Sequence, residues 1–171
     1  MTANLMGDSS VLHPVVVINM GGYKFRALLD SGASHSYVSS TAIELLQAKV
    51  KSTSLRQIAM LTGVETRTMQ VYEVVMHSVT GDFSLNVNVT KIEKRELLTL
   101  DNPRYSDLVK NHPHLRGVKM DDSDTKARLP LHVIIGANDF AKIRTSDRLR
   151  VGRRGDQIGR ASCRERVCQY V

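Results

Sequence analysis

Two apolar segments separated by a glycine pair constrain the fold more than any other feature. Val15-Val16-Val17-Ile18 is a β-branched run, Gly21-Gly22 follows, and Tyr23 to Leu29 reads as the returning strand of a hairpin. The second segment runs directly into Asp30-Ser31-Gly32-Ala33. An ionisable carboxylate is therefore delivered at the end of an apolar strand, at the point where the chain turns into a loop. Hydrophobic residues make up 42% of the 171, enough for the core of one domain of ordinary size. There is no Trp and only 5% of residues are aromatic, so that core must be built from Val, Leu, Ile and Met.

The rest of the chain extends the β reading. Tyr37-Val38 reads as a short strand. Ser39, Ser40 or Thr41 can cap a helix running to about Lys49, with Glu44 at capping-box distance from Thr41 and with Ile43, Leu46 and Val50 on one face. Ile58 to Leu61, Thr68 to Val75 and Phe83 to Val89 are strand-like, punctuated by Gly63 and Gly81. Leu85-Asn86-Val87-Asn88-Val89 has a clean period of two. Residues 98–130 form a loop-rich insertion containing Asn102-Pro103, His112-Pro113-His114 and the acidic cluster Asp121-Asp122-Ser123-Asp124, with a short helix near Tyr105 to Lys110. Leu131 to Gly136 then reads as a buried strand, Ala137 to Lys142 as one or two helical turns, and Leu149-Arg150-Val151 as a last strand. The expectation is a mostly β domain over residues 13–156 with one or two short helices, preceded by a flexible segment 1–12.

Residues 157–171 are compositionally foreign. The string Ile158 to Val167 resembles a conceptual translation of a common sequencing-adapter oligonucleotide, so the natural sequence is expected to stop near Asp156 or Gln157. This tail holds both cysteines, which then say nothing about redox state or metal binding, and without residues 158–171 the net charge of +7 falls to +5. No apolar run approaches the ~20 residues of a membrane span, and Met1 to Ser10 lacks the pattern of a secretory signal. An intracellular, cytoplasmic protein without membrane contact is the expectation.

The chemistry-bearing pattern has two parts. One is the apolar strand ending in Asp30-Ser31-Gly32-Ala33; the other, 106 positions after Asp30, is an apolar strand ending in Ile134-Ile135-Gly136. Water-mediated cleavage of a peptide bond by carboxylates requires an Asp whose loop is held rigidly beside a partner carboxylate, one proton being shared so that one group acts as base and the other as acid. Gly32 permits the turn such a loop demands, and the Ser31 hydroxyl can bond across to a neighbouring loop. Asp-Ser-Gly alone is weak, because any Asx turn can contain it. Its context is more informative: Phe25 to Leu29 before it, Ala33 to Ser39 after it, then a helix.

That order of strand, Asp-Ser-Gly-Ala, short strand and helix resembles the retropepsin-like aspartic peptidases, and Val133-Ile134-Ile135-Gly136 resembles their second motif, which packs behind the catalytic loop. Leu28 to Ala33, Pro113-His114-Leu115-Arg116-Gly117-Val118 and Leu131 to Phe140 look like the peptidase domain of Pao/BEL-type retrotransposon polyproteins, a likeness that covers roughly residues 14–155. The resemblance implies one half of an acid-protease barrel that closes its active site by homodimerisation, each chain supplying one Asp loop, with Asp30 catalytic and no cofactor. A second Asp-Thr/Ser-Gly triplet is missing from this sequence, as that implies. It also implies a flap closing over a peptide or polyprotein substrate, for which Ile58 to Thr68, with Leu61, Thr62, Gly63 and Val64 about the tip, is the candidate. The spacing from Asp30 to Gly136 is longer than in retroviral enzymes, and residues 98–128 look like the insertion responsible. In the family the chain usually finishes with a strand that interleaves at the dimer interface; here the adapter-like tail stands in that place.

Other candidates carry less. His112 and His114 with Asp121, Asp122 and Asp124 fit no standard metal-ligand pattern, and a solvated loop is the simpler reading. Asp139 could partner Asp30 within the chain, but an Asp so placed more often caps or solvates a short helix. His35 is close to Asp30 and unneeded by this chemistry. The basic run Lys142, Arg144, Arg148, Arg150, Arg153 and Arg154 lacks the interleaved aromatics of a nucleic-acid site. The functional alternatives are thus an endopeptidase that cuts its own polyprotein, a catalytically idle dimerisation or peptide-binding module and, on charge alone, a nucleic-acid-binding accessory domain.

Overall fold

The computed structural model describes residues 13–60, 63–115, 117, 120–143, 150–151 and 157–158. Strands β1 (Val15–Met20) and β2 (Tyr23–Asp30) form the expected antiparallel hairpin, Val15 facing Leu28 and Met20 facing Tyr23. Gly21 and Gly22 take φ of +56° and +87°, the left-handed pair that lets a two-residue turn follow the twist of its strands. Along β1 burial alternates, and Val16, Ile18 and Met20 face the interior.

Strand β3 (Ser36–Ser39) leads into helix α1 (Ser40–Leu46). Ser39 is the cap, its Oγ accepting from the Ala42 N–H at 3.2 Å, so Thr41 already lies inside the helix and the expected Thr41–Glu44 capping box does not form. The helix also ends before Lys49. Gln47 turns left-handed at φ +48°, its N–H returning to the carbonyls of Glu44 and Ile43. Val50, expected on the helix face, instead opens strand β4 (Val50–Met60) opposite Tyr72 and is 47% exposed. Pairing with a distant strand outweighs local helical periodicity there.

Strands β4 and β5 (Gly63–His77) are much longer than the two apolar segments that announced them. Their ladder runs from Val50 opposite Tyr72 to Met60 opposite Gly63, with a register shift between Val50 and Ser52. Its arms are polar at Lys51–Ser54 and Glu65–Thr68 and largely open to solvent, so no alternating apolar signal marks them. Strand β6 (Ser84–Ile92) shows the expected period of two, Val87 and Val89 inward and Asn86 and Asn88 outward, and continues three residues past Val89.

Beyond it come β7 (Leu98–Asp101), α2 (Tyr105–Asn111), a 3-10 turn (Pro113–Leu115), β8 (Arg128–Leu131), β9 (Val133–Gly136) and α3 (Ala137–Ile143). The segment expected as one strand from Leu131 is thus two, broken at His132. Seven strands make one sheet in the order β1-β2-β9-β3-β6-β5-β4, and Asn19 of β1 also pairs with His77 of β5, curling the sheet towards closure. Inside lie Phe25, Ala27, Leu29, Val38, Val133 and Ile135, with Ile43 of α1 and Ile143 of α3. The described residues are mostly β, with three short α-helices among them where one or two were expected. Strands β10 (Arg150–Val151) and β11 (Gln157–Ile158) form a separate two-residue ladder; Leu149 and residues 159–171, with most of the expected foreign tail, lie outside the described residues, as does segment 1–12.

The insertion has more order than its composition suggested. β7 and β8 pair antiparallel across its base, Leu98 facing Leu131 and Asp101 facing Arg128. Buried Leu115 gathers Tyr105, Leu108, Val109 and Met120 into a small second core, and burial pushes the Tyr105 hydroxyl up to about 12. The acidic cluster is not a solvated loop. Arg26 of β2 donates to Asp122 from Nε and Nη2 and to Asp124 from Nη2, fastening the insertion to the barrel. These bonds raise the Arg26 value; the Lys126 backbone N–H and Arg26 lower that of Asp124.

His132, between β8 and β9, shares a 2.9 Å hydrogen bond through Nδ1 with Ser39 Oγ and stands edge-on to Phe25 at 5.8 Å between ring centres. Burial holds its imidazole below the usual 6.5. Folding thus disfavours protonation, so the contribution of His132 to stability is complete above about 6.5 and is lost as pH falls through the lower folded value. Urea midpoints measured from pH 7 to pH 5 should fall more steeply for the unaltered chain than for His132→Asn, whose amide oxygen accepts without titrating. Superimposable curves would refute this assignment.

Candidate active site

Asp30 is the last residue of β2, and the chain returns as β3 only six residues later. Strand β9 runs between them, parallel to β2 with Gly136 beside Asp30, and antiparallel to β3 with Ile134 beside Tyr37. The loop leaving Asp30 must therefore pass over the C-terminal end of β9. Gly136 makes that crossing possible. A Cβ at this position would run into the His35 carbonyl oxygen and sit 2.8 Å from that of Ala33, both backbone atoms. Ile135 is buried in the core beneath the loop and Ile134 is half-buried.

Hydrogen bonds fix the crossing. Asp30 Oδ1 accepts from the Gly32 N–H at 2.8 Å, and the Asp30 carbonyl accepts from Ala33 N–H at 3.3 Å, the arrangement of an Asx turn. The Ala33 carbonyl accepts from Ala137 N–H at 2.7 Å, which ties the loop to the start of α3. Among the described residues no hydrogen bond engages Asp30 Oδ2 or the Ser31 hydroxyl, so the bond expected from Ser31 is not made among them. Asp30 and Ala33 are half-buried, and Ser31 and Gly32 are exposed.

Sequence reasoning missed Ser36. Its buried hydroxyl accepts from Gly136 N–H at 3.1 Å and donates to Asp139 Oδ2 at 2.7 Å. Asp139 is neither solvated nor bonded to Asp30: it is 8% exposed, with Lys142 Nζ 2.9 Å from its other oxygen. A separation of 103 positions between Ser36 and Asp139 leaves no local signal; a carboxylate among apolar residues just after a strand-ending Gly was the only available hint. His35 contributes its backbone to the crossing, and its side chain is half-buried.

The β4–β5 hairpin occupies the expected flap segment, with Gly63 and Val64 as the first residues of β5 and with Leu61 and Thr62 outside the described residues. Leu55 and Val64 on its arms are 70% and 66% exposed. Among the described residues no group of three or more His, Cys, Asp or Glu is placed to hold a metal, and no helix is long and apolar enough to cross a membrane. Of the basic run, Lys142 is engaged by Asp139, while Arg144, Arg148, Arg153 and Arg154 lie outside the described residues.

The family model described as retroviral aspartyl protease matches residues 11–99, more than half the chain and including Asp30, the short strand, α1 and the hairpin. The chain belongs to that family. Among solved structures it is similar to the retroviral protease-like domain of Ddi1 from Leishmania major, at 14% identity over 78% of each chain and a TM-score of 0.41. That likeness is remote, and membership rests on the sequence match. No curated protein matches. Gly136 lies beyond the matched residues, and it is the tertiary structure that sets it beside Asp30.

Because the atoms a Cβ would meet at Gly136 belong to backbone, they cannot be relieved by a rotamer change. Gly136→Ala should cost at least about 2 kcal/mol in urea unfolding. A loss below roughly 0.5 kcal/mol, the usual scatter of surface substitutions, would show that the crossing is looser than described.

Proposed function

We propose that this chain is an aspartic endopeptidase in which Asp30 of two chains, brought together in a homodimer, activates water to hydrolyse peptide bonds. One observation carries the reading: a single Asp-Ser-Gly loop, held rigidly at Asp30 Oδ1 and over Gly136, leaves Asp30 Oδ2 and the Ser31 hydroxyl without partners among the described residues. The chemistry requires two carboxylates, and a second copy is the simplest source of the other. Two carboxyl groups so close cannot both ionise, so they share one proton. The ionised Asp30 takes a proton from water as its oxygen attacks the scissile carbonyl carbon; the protonated one donates to the carbonyl oxygen. Collapse of the tetrahedral species breaks the C–N bond, with a proton passing to the departing amine. The β4–β5 hairpin would serve as the flap, and the Ser31 hydroxyl would bond across to the partner's loop.

The substrate is proposed to be a Pao/BEL-type retrotransposon polyprotein, the peptidase domain spanning residues 13–156. This finer assignment is supported by the likeness of Leu28 to Ala33, Pro113 to Val118 and Leu131 to Phe140 to that group, and by the insertion between β6 and β8.

Asp30→Asn should abolish peptide cleavage while leaving the urea midpoint close to that of the unaltered chain. Undiminished cleavage by this variant would sink the assignment of Asp30. A chain inactive before any substitution would favour an idle dimerisation or peptide-binding module. Specific activity should rise with protein concentration at low concentration, and sedimentation showing a fully active monomer would rule out the two-chain site.

A further inference from the structure

Behind the Asp30 loop lies a polar cluster for which neither packing nor peptide chemistry gives an immediate reason. A buried hydroxyl, Ser36, sits between a backbone N–H and a carboxylate that is itself 8% exposed. Burying a carboxylate is costly unless it is paired and hydrogen-bonded, and here Asp139 has both Ser36 and Lys142. An apolar residue in its place would avoid that cost, so what the carboxylate does for its neighbours is the question.

An ionised carboxylate can only accept, and a hydroxyl has one proton. Asp139 Oδ2 takes the Ser36 proton at 2.7 Å, and the Ser36 oxygen then presents a lone pair to Gly136 N–H at 3.1 Å. Gly136 is the residue beside Asp30 in the β2–β9 ladder and the one over which the loop crosses at backbone contact. The next N–H, of Ala137, holds the Ala33 carbonyl at 2.7 Å. Two consecutive amides of the β9–α3 junction thus grip the loop that begins at Asp30, one directly at its middle through Ala33 and one at its far end through Ser36. Gly136 N–H can only donate and the Asp139 carboxylate only accepts, so the two together fix which way the Ser36 hydroxyl points, and Asp139 is the side-chain half of that pair. Lys142, half exposed on the next turn of α3, offsets the buried charge without reaching the loop.

Resting on the reading of Asp30 as the catalytic carboxylate, we infer that Asp139, acting through the Ser36 hydroxyl, is a positioning residue that fixes the Asp30 loop for reaction. In this role it works from behind the loop, through Ser36, and not on the reacting atoms. Removing its acceptor frees the Ser36 hydroxyl to rotate, loosens the bond at Gly136 N–H and lets the loop shift across β9. The effect should fall on turnover rather than on substrate affinity, because the side chains that line the cleft are untouched.

The test uses the full chain and one peptide substrate, with kcat and KM measured for the unaltered protein, Asp30→Asn, Asp139→Ala, Asp139→Asn and Ser36→Ala. Asp139→Ala should lower kcat by ten- to roughly a hundredfold, the scale of a misplacement of about 1 Å, with KM changed less than about threefold. Asp139→Asn keeps an oxygen that accepts from Ser36 and should recover most of that loss. Ser36→Ala should reproduce the kcat deficit without leaving Lys142 facing an altered partner, and it decides the matter where Asp139→Ala does not fold. If cleavage depends on Asp30 but Asp139→Ala or Ser36→Ala keeps its kcat, or if the Asn variant is no better than the Ala one, the inference is overturned and the reading of Asp30 stands. If the unaltered chain does not cleave, or Asp30→Asn cleaves as well as it does, the reading of Asp30 fails and the positioning role falls with it.

Discussion

The structure depends on one steric constraint: a loop that must cross the end of a strand at backbone contact. Strand β9 lies between β2 and β3, so the chain leaving Asp30 can reach β3 only over Gly136. Everything near the site follows from that passage. The strand beneath must end in a residue without a side chain, and the loop must be short and tightly turned. Its polar backbone groups must find partners in the few atoms within reach, as the Ala33 carbonyl does in the Ala137 amide, while the Gly136 amide beneath is met by the Ser36 hydroxyl. A site assembled this way is rigid because its parts are packed to contact, and protein interiors yield little to such pressure.

Two carboxylates near this crossing have been given opposite environments. Asp30 is half-buried at the loop, one oxygen tied to its own turn and the other without a bond among the described residues. Asp139 is enclosed, with both oxygens engaged and a lysine beside it. The first arrangement suits a group that must exchange protons; the second suits one that holds neighbours in place. The difference between them comes from surroundings and not from residue type, which is the same for both.

The insertion between β6 and β8 is bound to the barrel by different means. A two-stranded base, a small core around Leu115 and the Arg26 clasp on Asp122 and Asp124 anchor it to β2, the strand that ends in Asp30. Residues that looked from composition like solvated acids are a fastening, because a single arginine 96 positions earlier reaches them with a geometry that suits two carboxylates.

The sequence by itself determined the elements whose signals are local. The β1–β2 hairpin was legible from β-branched residues around Gly21-Gly22, β6 from its alternation, and the Asp30 turn from Asp-Ser-Gly, because turn geometry and one-sided burial act over a few residues. A strand ending in Gly136 could be read too, and so could its likeness to a family motif. Only the tertiary structure decided what depends on distant partners. Val50 left the helix face because Tyr72 offered it a ladder, and the long β4 and β5 arms formed from polar residues because each arm is the other's hydrogen-bond partner. The loop residues 98–101 became a strand because 128–131 lay opposite, and Ser36 met Asp139 across 103 positions because β9 inserts between β2 and β3. A local pattern records what a residue prefers; which preference prevails is set by the neighbours that chain topology brings within a few ångströms.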